Sequence, residues 1–130
     1  MKKLTITGIG MLLLASALPA HHSWGGAYDL RQQVILKGKV SKVAFKDPHV
    51  VLTIETKDSG TWLAELTSPA GLKRMGIDEN TLKVGDFLEI LGSPSRDPDR
   101  RVVAAYWEIR RPADGLRWIW QEWPGPRVIE

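Results

Sequence analysis

Short segments in which apolar and polar residues alternate constrain the fold of this chain most strongly. A period of two is typical of β-strands that bury one face. Between the third and fourth segments, Ser68-Pro69 and Gly76 bracket a predicted short helix, because serine caps helix N-termini, proline fits the first turn and glycine follows helix ends. The five alternating segments are Gln33 to Phe45, Val50 to Glu55, Trp62 to Leu66, Phe87 to Leu91 and Val103 to Ile109.

The order of three strands, one short helix and two strands predicts a mainly β fold, a small OB-like barrel of five to six strands. The first strand favours this fold, because its alternation changes phase near Ser41-Lys42 and it carries Gly38 at mid-length. A bulge and a glycine let one strand bend and serve two parts of a barrel. Residues 116–120 repeat at period two and predict the sixth strand. Another small β-barrel and an open α+β sheet share this order and stay open as alternatives.

Residues 1–20 have the composition of a secretory signal peptide: two lysines, an apolar run, then small residues that lead to Ala20. The apolar run is too short and too interrupted for a membrane span. We therefore expect an exported protein, periplasmic or secreted, with no stable membrane span after processing. Removal of residues 1–20 from the 130-residue chain leaves 110 residues, which suffice for one domain.

The charge and the absence of cysteine exclude several classes of partner, metal site and catalytic mechanism. The formal charge of +3 falls to +1 when Lys2 and Lys3 leave with the signal, so we expect no nucleic-acid partner. The chain contains no cysteine, which excludes disulfides, thiolate metal sites and a cysteine nucleophile. Four segments are expected along the chain: a signal peptide at 1–20, an irregular N-terminal arm at 21–32, the OB-like barrel domain at 33–111, and a Trp/Pro-rich extension at 112–130.

The histidines suggest a metal site. Cleavage after Ala20 would leave His21 at the N-terminus, where its amine and imidazole can chelate one metal ion. A third nitrogen from His49, which lies in a predicted turn, would complete a set that suits Cu(II). His22 is a further candidate ligand, and Glu65 is a candidate fourth ligand or an outer partner that orients a histidine. We therefore predict a transition-metal site, with copper as the preferred metal.

Plainer interpretations of the same residues remain open. Ala15-Ser16-Ala17 matches a cleavage motif better than Leu18-Pro19-Ala20, and cleavage after Ala17 would abolish the N-terminal chelate. The histidine pair fits a solvated arm equally well. His49 could cap the backbone of a turn, and Glu65 could face solvent or pair with a strand lysine.

The C-terminal extension suggests a second function, that of a binding module without a metal. Six tryptophans are many for a chain of this size. Trp62 and Trp107 fall on predicted core faces, whereas the aromatic residues near the C-terminus predict a surface for a protein partner or a small ligand. The residues of this predicted surface are Trp118, Trp120, Trp123 and Arg117.

Enzymatic activity has little support in the sequence. The serines lie in cap and turn contexts, without the pattern of a nucleophile elbow. The sequence lacks a glycine-rich loop between a strand and a helix, so no phosphate-binding loop is predicted. We therefore expect a protein that is not an enzyme, and we retain a copper redox enzyme as a third alternative.

Several short motifs, taken in order, resemble a family of small exported bacterial proteins of unknown function whose mature chains begin with His-His-Ser. The resemblance implies an OB-like barrel and a mature start at His21, and it implies no activity. This chain departs from the pattern at Asp97-Pro98-Asp99, where Asp-Gly is expected, and its tail is longer. The matching motifs are His21-His22-Ser23, Tyr28-Asp29, Gly38-Lys39-Val40, Asp47-Pro48-His49, Trp62 to Glu65, Ser68-Pro69, Leu72 to Gly76, Leu82 to Asp86 and Gly92-Ser93-Pro94.

Overall fold

The computed structural model describes residues 24–120 and 127–129 of the chain. Within them, short strands predominate and two short helices interrupt their succession. The elements are α1 (Trp24–Ala27), β1 (Val34–Ala44), β2 (Val51–Glu55), β3 (Thr61–Glu65), α2 (Pro69–Arg74), β4 (Phe87–Pro94), β5 (Val102–Arg111), β6 (Leu116–Ile119) and β7 (Arg127–Ile129).

The first five strands close into a barrel. β1 pairs with β4 along its first half and with β2 along its second half, both antiparallel. β2 pairs with β3, β3 runs parallel to β5, and β5 pairs with β4, so the ring is complete. With α2 inserted between β3 and β4, this topology confirms the predicted OB-like barrel.

β1 serves two neighbours because it bends at the predicted place. Its register against β2 shifts between Val40 and Lys42, which confirms the bulge. Gly38 lies where a Cβ atom would collide with the backbone of Glu55 and the side chain of Ile54. The chain therefore needs glycine at this position to let β1 and β2 approach.

The core lies inside the barrel and follows the alternation in the sequence. Val50, Leu52 and Ile54 are completely buried, as are Ala64 and Leu66 on the neighbouring strand. Trp62 is half-buried against this core, as its position on the strand predicted. Trp107 is also half-buried, and its indole Nε1 donates a hydrogen bond of 3.2 Å to Ser93 Oγ.

The helices show where local signals suffice and where they do not. α2 begins as predicted, because Ser68 Oγ accepts a hydrogen bond of 3.2 Å from the Gly71 amide, and Gly76 ends the segment with a φ of 80°. The N-terminal arm was predicted to be irregular, and this was wrong for Trp24–Ala27, which forms α1. Two glycines oppose that turn, so burial of Tyr28 against the barrel stabilises it.

The last strands extend the barrel. β6 pairs with β5, which confirms the predicted sixth strand, and β7 runs parallel to β1 over residues 34–36. No helix in the described part of the chain is long and apolar enough to cross a membrane.

Candidate metal-binding site

His49 and Glu65, both predicted site residues, meet at one end of the β2–β3 pair. Glu65 lies opposite Val51 in the antiparallel register, so His49, two residues before Val51, is its diagonal neighbour on the same face. The pairing continues past the strand ends, where the Leu66 amide donates to the Val50 carbonyl at 2.8 Å. His49 Nδ1 forms a short hydrogen bond with Glu65 Oε1. The register of β2 against β3 therefore brings His49 and Glu65, both predicted from the sequence as site residues, into contact.

Tyr28 is hydrogen-bonded to the other carboxylate oxygen of Glu65. Its hydroxyl donates a short hydrogen bond to Glu65 Oε2. The residue is 4% exposed. Burial, and then the hydrogen bond and negative charge of Glu65, raise the pKa of Tyr28 above its ordinary value of 10.0, against a smaller opposing effect of Arg100. The phenol thus stays protonated at physiological pH and remains a hydrogen-bond donor to Glu65.

Trp24 covers the imidazole ring of His49. The two rings stack with centroids 5.2 Å apart and an interplanar angle of 26°. Trp24 also contacts Tyr28, with ring centroids 5.4 Å apart. Because Trp24 and Tyr28 are the first residue of α1 and the residue after its end, this one helical turn packs two aromatic rings against the His49–Glu65 pair.

A cavity of about 360 Å³ opens beside this cluster. The side chain of Glu65 is 23% exposed and that of His49 is 38% exposed, so small solutes can reach both. The walls of the cavity carry a cation, a carboxylate, an imidazole and two aromatic rings. They are formed by Trp24, Ala27, Tyr28, Pro48, His49, Glu65 and Arg100.

The arrangement is chemically suited to orienting a metal-binding imidazole. Histidine ligands of metals commonly donate the second ring N–H to a carboxylate, which fixes the tautomer and the ring orientation. With Nδ1 bonded to Glu65, Nε2 is the nitrogen that remains for a metal ion. Among the described residues, no three His, Cys, Asp or Glu side chains group closely enough to hold a metal. The other predicted ligands, His21 and His22, lie outside the described residues.

Trp24 and Tyr28 belong to this cluster, although their Gly-rich context in the sequence predicts an arm without regular structure. Their spacing of four residues was the available signal, since residues at i and i+4 share one face of a helical turn. The Tyr28 amide donates to the Trp24 carbonyl at 2.8 Å, which closes that turn.

The predicted aromatic surface is placed only in part, because Trp123 lies outside the described residues. Trp118 and Trp120 are half-buried and pack against the barrel core. The guanidinium of Arg111 lies over the Trp118 ring, 5.7 Å from its centroid. Arg117 donates from Nε to Glu108 at 2.6 Å.

Glu108 is the centre of a second polar cluster, which no motif in the sequence predicts. Its side chain is 7% exposed and accepts hydrogen bonds from the Nε atoms of Arg110 and Arg117, both at 2.6 Å. Burial by itself would raise the pKa of this carboxyl, but the two arginines outweigh it and lower the pKa of Glu108 to about 2. Glu108 is therefore a carboxylate held between two cations at neutral pH.

Comparison with known proteins gives one match. The model of a family of unknown function, DUF6152, matches residues 10–104. The matched span includes every residue of the His49–Glu65 cluster and both N-terminal histidines, and it ends before the C-terminal extension. No curated protein and no solved structure matches the chain.

Proposed function

We propose that this protein, which belongs to the DUF6152 family of unknown function, is an exported protein that binds a transition metal ion, with copper preferred. The observation that carries the proposal is the hydrogen bond between His49 Nδ1 and Glu65, the carboxylate–histidine pair found around many metal ions. In the proposed site, His49 Nε2 binds the metal and Glu65 orients the ring. The remaining nitrogens come from His21, through its imidazole and a free N-terminal amine, and from His22.

The covalent chain supports this ligand set. His21 and His22 precede Trp24 by three and two residues, and the Trp24 ring stacks on His49. Three extended residues span at most about 11 Å, so the backbone of His21 can lie no farther than this from Trp24, whose ring contacts His49. The stack formed by α1 therefore limits the conformational entropy that is lost when the metal joins the two parts of the chain.

The donor types favour copper. The chain has no thiolate to offer, and the proposed first-coordination atoms are imidazole and amine nitrogens. Nitrogen-rich sites bind Cu(II) more tightly than the other common divalent ions of the first transition series. Export matters for this chemistry, because the terminal amine of His21 exists only if the signal peptide is removed after Ala20.

The mature N-terminus tests the premise of the chelate. The full-length chain should be expressed with its own signal and recovered from the exported fraction, and intact-mass spectrometry should then give the mass of residues 21–130. A chain that begins at Leu18 would contradict the amine chelate, and retention of the precursor inside the cell would contradict export.

Metal affinity tests the ligands. We expect His49→Ala to weaken Cu(II) binding about 100-fold or more in a competition titration against a chelator of known affinity, since one of few strong donors is lost. Adding one glycine before His21 should have a comparable effect, because it separates the amine from the imidazole. Lys46→Ala, an exposed residue near the same turn, is the matched control and should bind like the wild type. Equal affinity of all four proteins would refute the site.

One observation favours a second function, a binding module that docks a protein through the C-terminal surface. Leu116 and Ile119 on β6 are 38% and 43% exposed beside the half-buried Trp118. A pull-down from the exported fraction should lose its partner when both are changed to serine. Phe87→Ser removes an apolar side chain of similar exposure, 47%, elsewhere on the barrel and serves as the control. A partner retained by the double variant would contradict docking at this surface.

A further inference from the structure

Trp24 also lines a second cavity, which is distinct from the one beside His49 and Glu65. Its volume is about 320 Å³. Among the described residues, Trp24 is the one that lines both cavities, and neither His49 nor Glu65 lines this one. The walls bring together α1, α2 and the C-terminal segment after β6; they are formed by Trp24, Thr67, Gly71, Arg74, Met75, Ala105 and Trp120.

The walls are suited to a flat apolar ring. Two indoles and a thioether offer broad, polarizable surfaces, and aromatic ligands pack well against both groups. The Trp120 amide donates to the Trp107 carbonyl at 2.7 Å, which fixes this residue beside β5. In the described part of the chain the Trp120 ring has neither an aromatic nor a cationic partner. Ala105 and Gly71 add little bulk to the walls.

Arg74 adds a positive charge to the same cavity. It is the last residue of α2 and is exposed. Its neighbour Lys73 pairs with Glu79 at 3.1 Å, whereas Arg74 has no acidic partner among the residues that the structure describes. A guanidinium presents a planar pair of donors that matches a carboxylate, and its affinity for one is greater when no protein carboxylate already occupies it.

We infer that this cavity binds a small aromatic carboxylate, with the ring against Trp24 and Trp120 and the carboxylate on Arg74. A volume of about 320 Å³ accommodates a single-ring acid and several waters, since one water takes roughly 30 Å³ of liquid volume. The inference does not depend on metal binding. It is also separate from protein docking at Leu116 and Ile119, which can hold whether or not the cavity takes a ligand.

Three probes separate the parts of the inference. The metal-free, ¹⁵N-labelled protein is titrated with benzoate, benzamide and acetate, and the indole Nε1–H signals are followed by NMR after assignment with Trp→Phe variants. Benzoate should shift the signals of Trp24 and Trp120. Benzamide lacks the charge and acetate lacks the ring, so the affinity of each should be lower than that of benzoate by about tenfold or more. Equal binding of benzoate and benzamide would overturn the carboxylate assignment.

Variants locate the site. Arg74→Gln should weaken benzoate roughly tenfold, the loss expected for one charge-assisted hydrogen bond. Arg31→Gln is the matched control, because Arg31 is exposed and lies outside this cavity, and it should bind like the wild type. Glu65→Gln should retain benzoate binding, because Glu65 does not line this cavity, and this result would separate the cavity from the metal site. Absence of benzoate-induced shifts at Trp24 and Trp120, or unchanged affinity of Arg74→Gln, would overturn the inference.

Discussion

The carboxylates of Glu65 and Glu108 each bond to two side chains, but these side chains belong to different chemical classes. Glu108 is nearly buried and bonded by two guanidinium groups, so its charge is compensated within the protein. Glu65 is bonded by a phenol and an imidazole, and no Arg or Lys forms an ion pair with it in the described part of the chain. The side chain of Glu65 is also more exposed, at 23% against 7%.

This difference separates a structural carboxylate from one that can serve a bound ion. A carboxylate neutralised by arginines has little electrostatic attraction left for a metal-bound imidazole. A carboxylate that receives only hydrogen bonds from Tyr28 and His49 keeps its charge available to an ion on the far side of the ring. The comparison yields four predictions: two compare the carboxylates directly, one concerns the charge of Glu108, and one concerns the hydrogen bond of Tyr28 to Glu65.

The largest expected effect is on metal affinity. Glu65→Gln should weaken Cu(II) binding by about 10- to 100-fold, because the orienting partner of a ligand histidine is lost. Glu108→Gln should leave the affinity within twofold, roughly, since Glu108 belongs to the other cluster. Chelator competition measures both. If the two variants lose affinity equally, the distinction between the two glutamates is wrong.

The second prediction concerns the free energy of unfolding of the same two variants. Glu108→Gln should destabilise the metal-free protein by about 2 kcal/mol, because it leaves two arginines without their shared, nearly buried carboxylate. Glu65→Gln should cost about 1 kcal/mol, since its partners are a phenol and an imidazole at a more exposed site. Urea denaturation of both variants gives the values, and the reverse order would contradict our account.

The third prediction concerns the loss of stability at low pH, to which protonation of Glu108 should contribute. Its pKa of about 2 in the folded protein lies below the ordinary value of 4.5, so its contribution to stability is complete above about pH 4.5 and is lost as the pH falls toward 2. Unfolding free energies measured from pH 6 to pH 2 should therefore fall less steeply for Glu108→Gln than for the wild type. Parallel curves for the two proteins would show that Glu108 does not supply this dependence.

The smallest effect is expected for Tyr28→Phe. Loss of the phenol hydrogen bond to Glu65 should lower stability by roughly 1 kcal/mol and Cu(II) affinity by less than about tenfold, because His49 keeps its own bond to the carboxylate. Phenylalanine retains the ring contact with Trp24, which makes the substitution specific. An effect on affinity larger than that of Glu65→Gln would place Tyr28 on the metal itself.

Most of the fold was predictable because it depends on local patterns. Alternation marked β1 to β6, the change of phase marked the bulge near Lys42, and Ser68 with Gly76 marked α2. The α1 turn was harder to predict, since Gly25 and Gly26 disfavour a helix and the turn is stabilised by the burial of Tyr28 and the stack of Trp24 on His49. Local propensity failed at α1 because its stability comes from contacts distant in sequence, and β7, which pairs with β1, was also not predicted.

The sequence by itself determined which donors this protein has: three histidines, no cysteine, and a glutamate at the end of a strand. It also determined the strands and favoured a barrel, because a hydrophobic period of two is typical of strands that bury one face. Only the tertiary structure decided which donors meet. The diagonal pairing of His49 with Glu65 follows from the β2–β3 register, and the arrival of Trp24 and Tyr28 follows from packing of α1 on the barrel. Those contacts join residues up to 37 positions apart, and no local pattern specifies them.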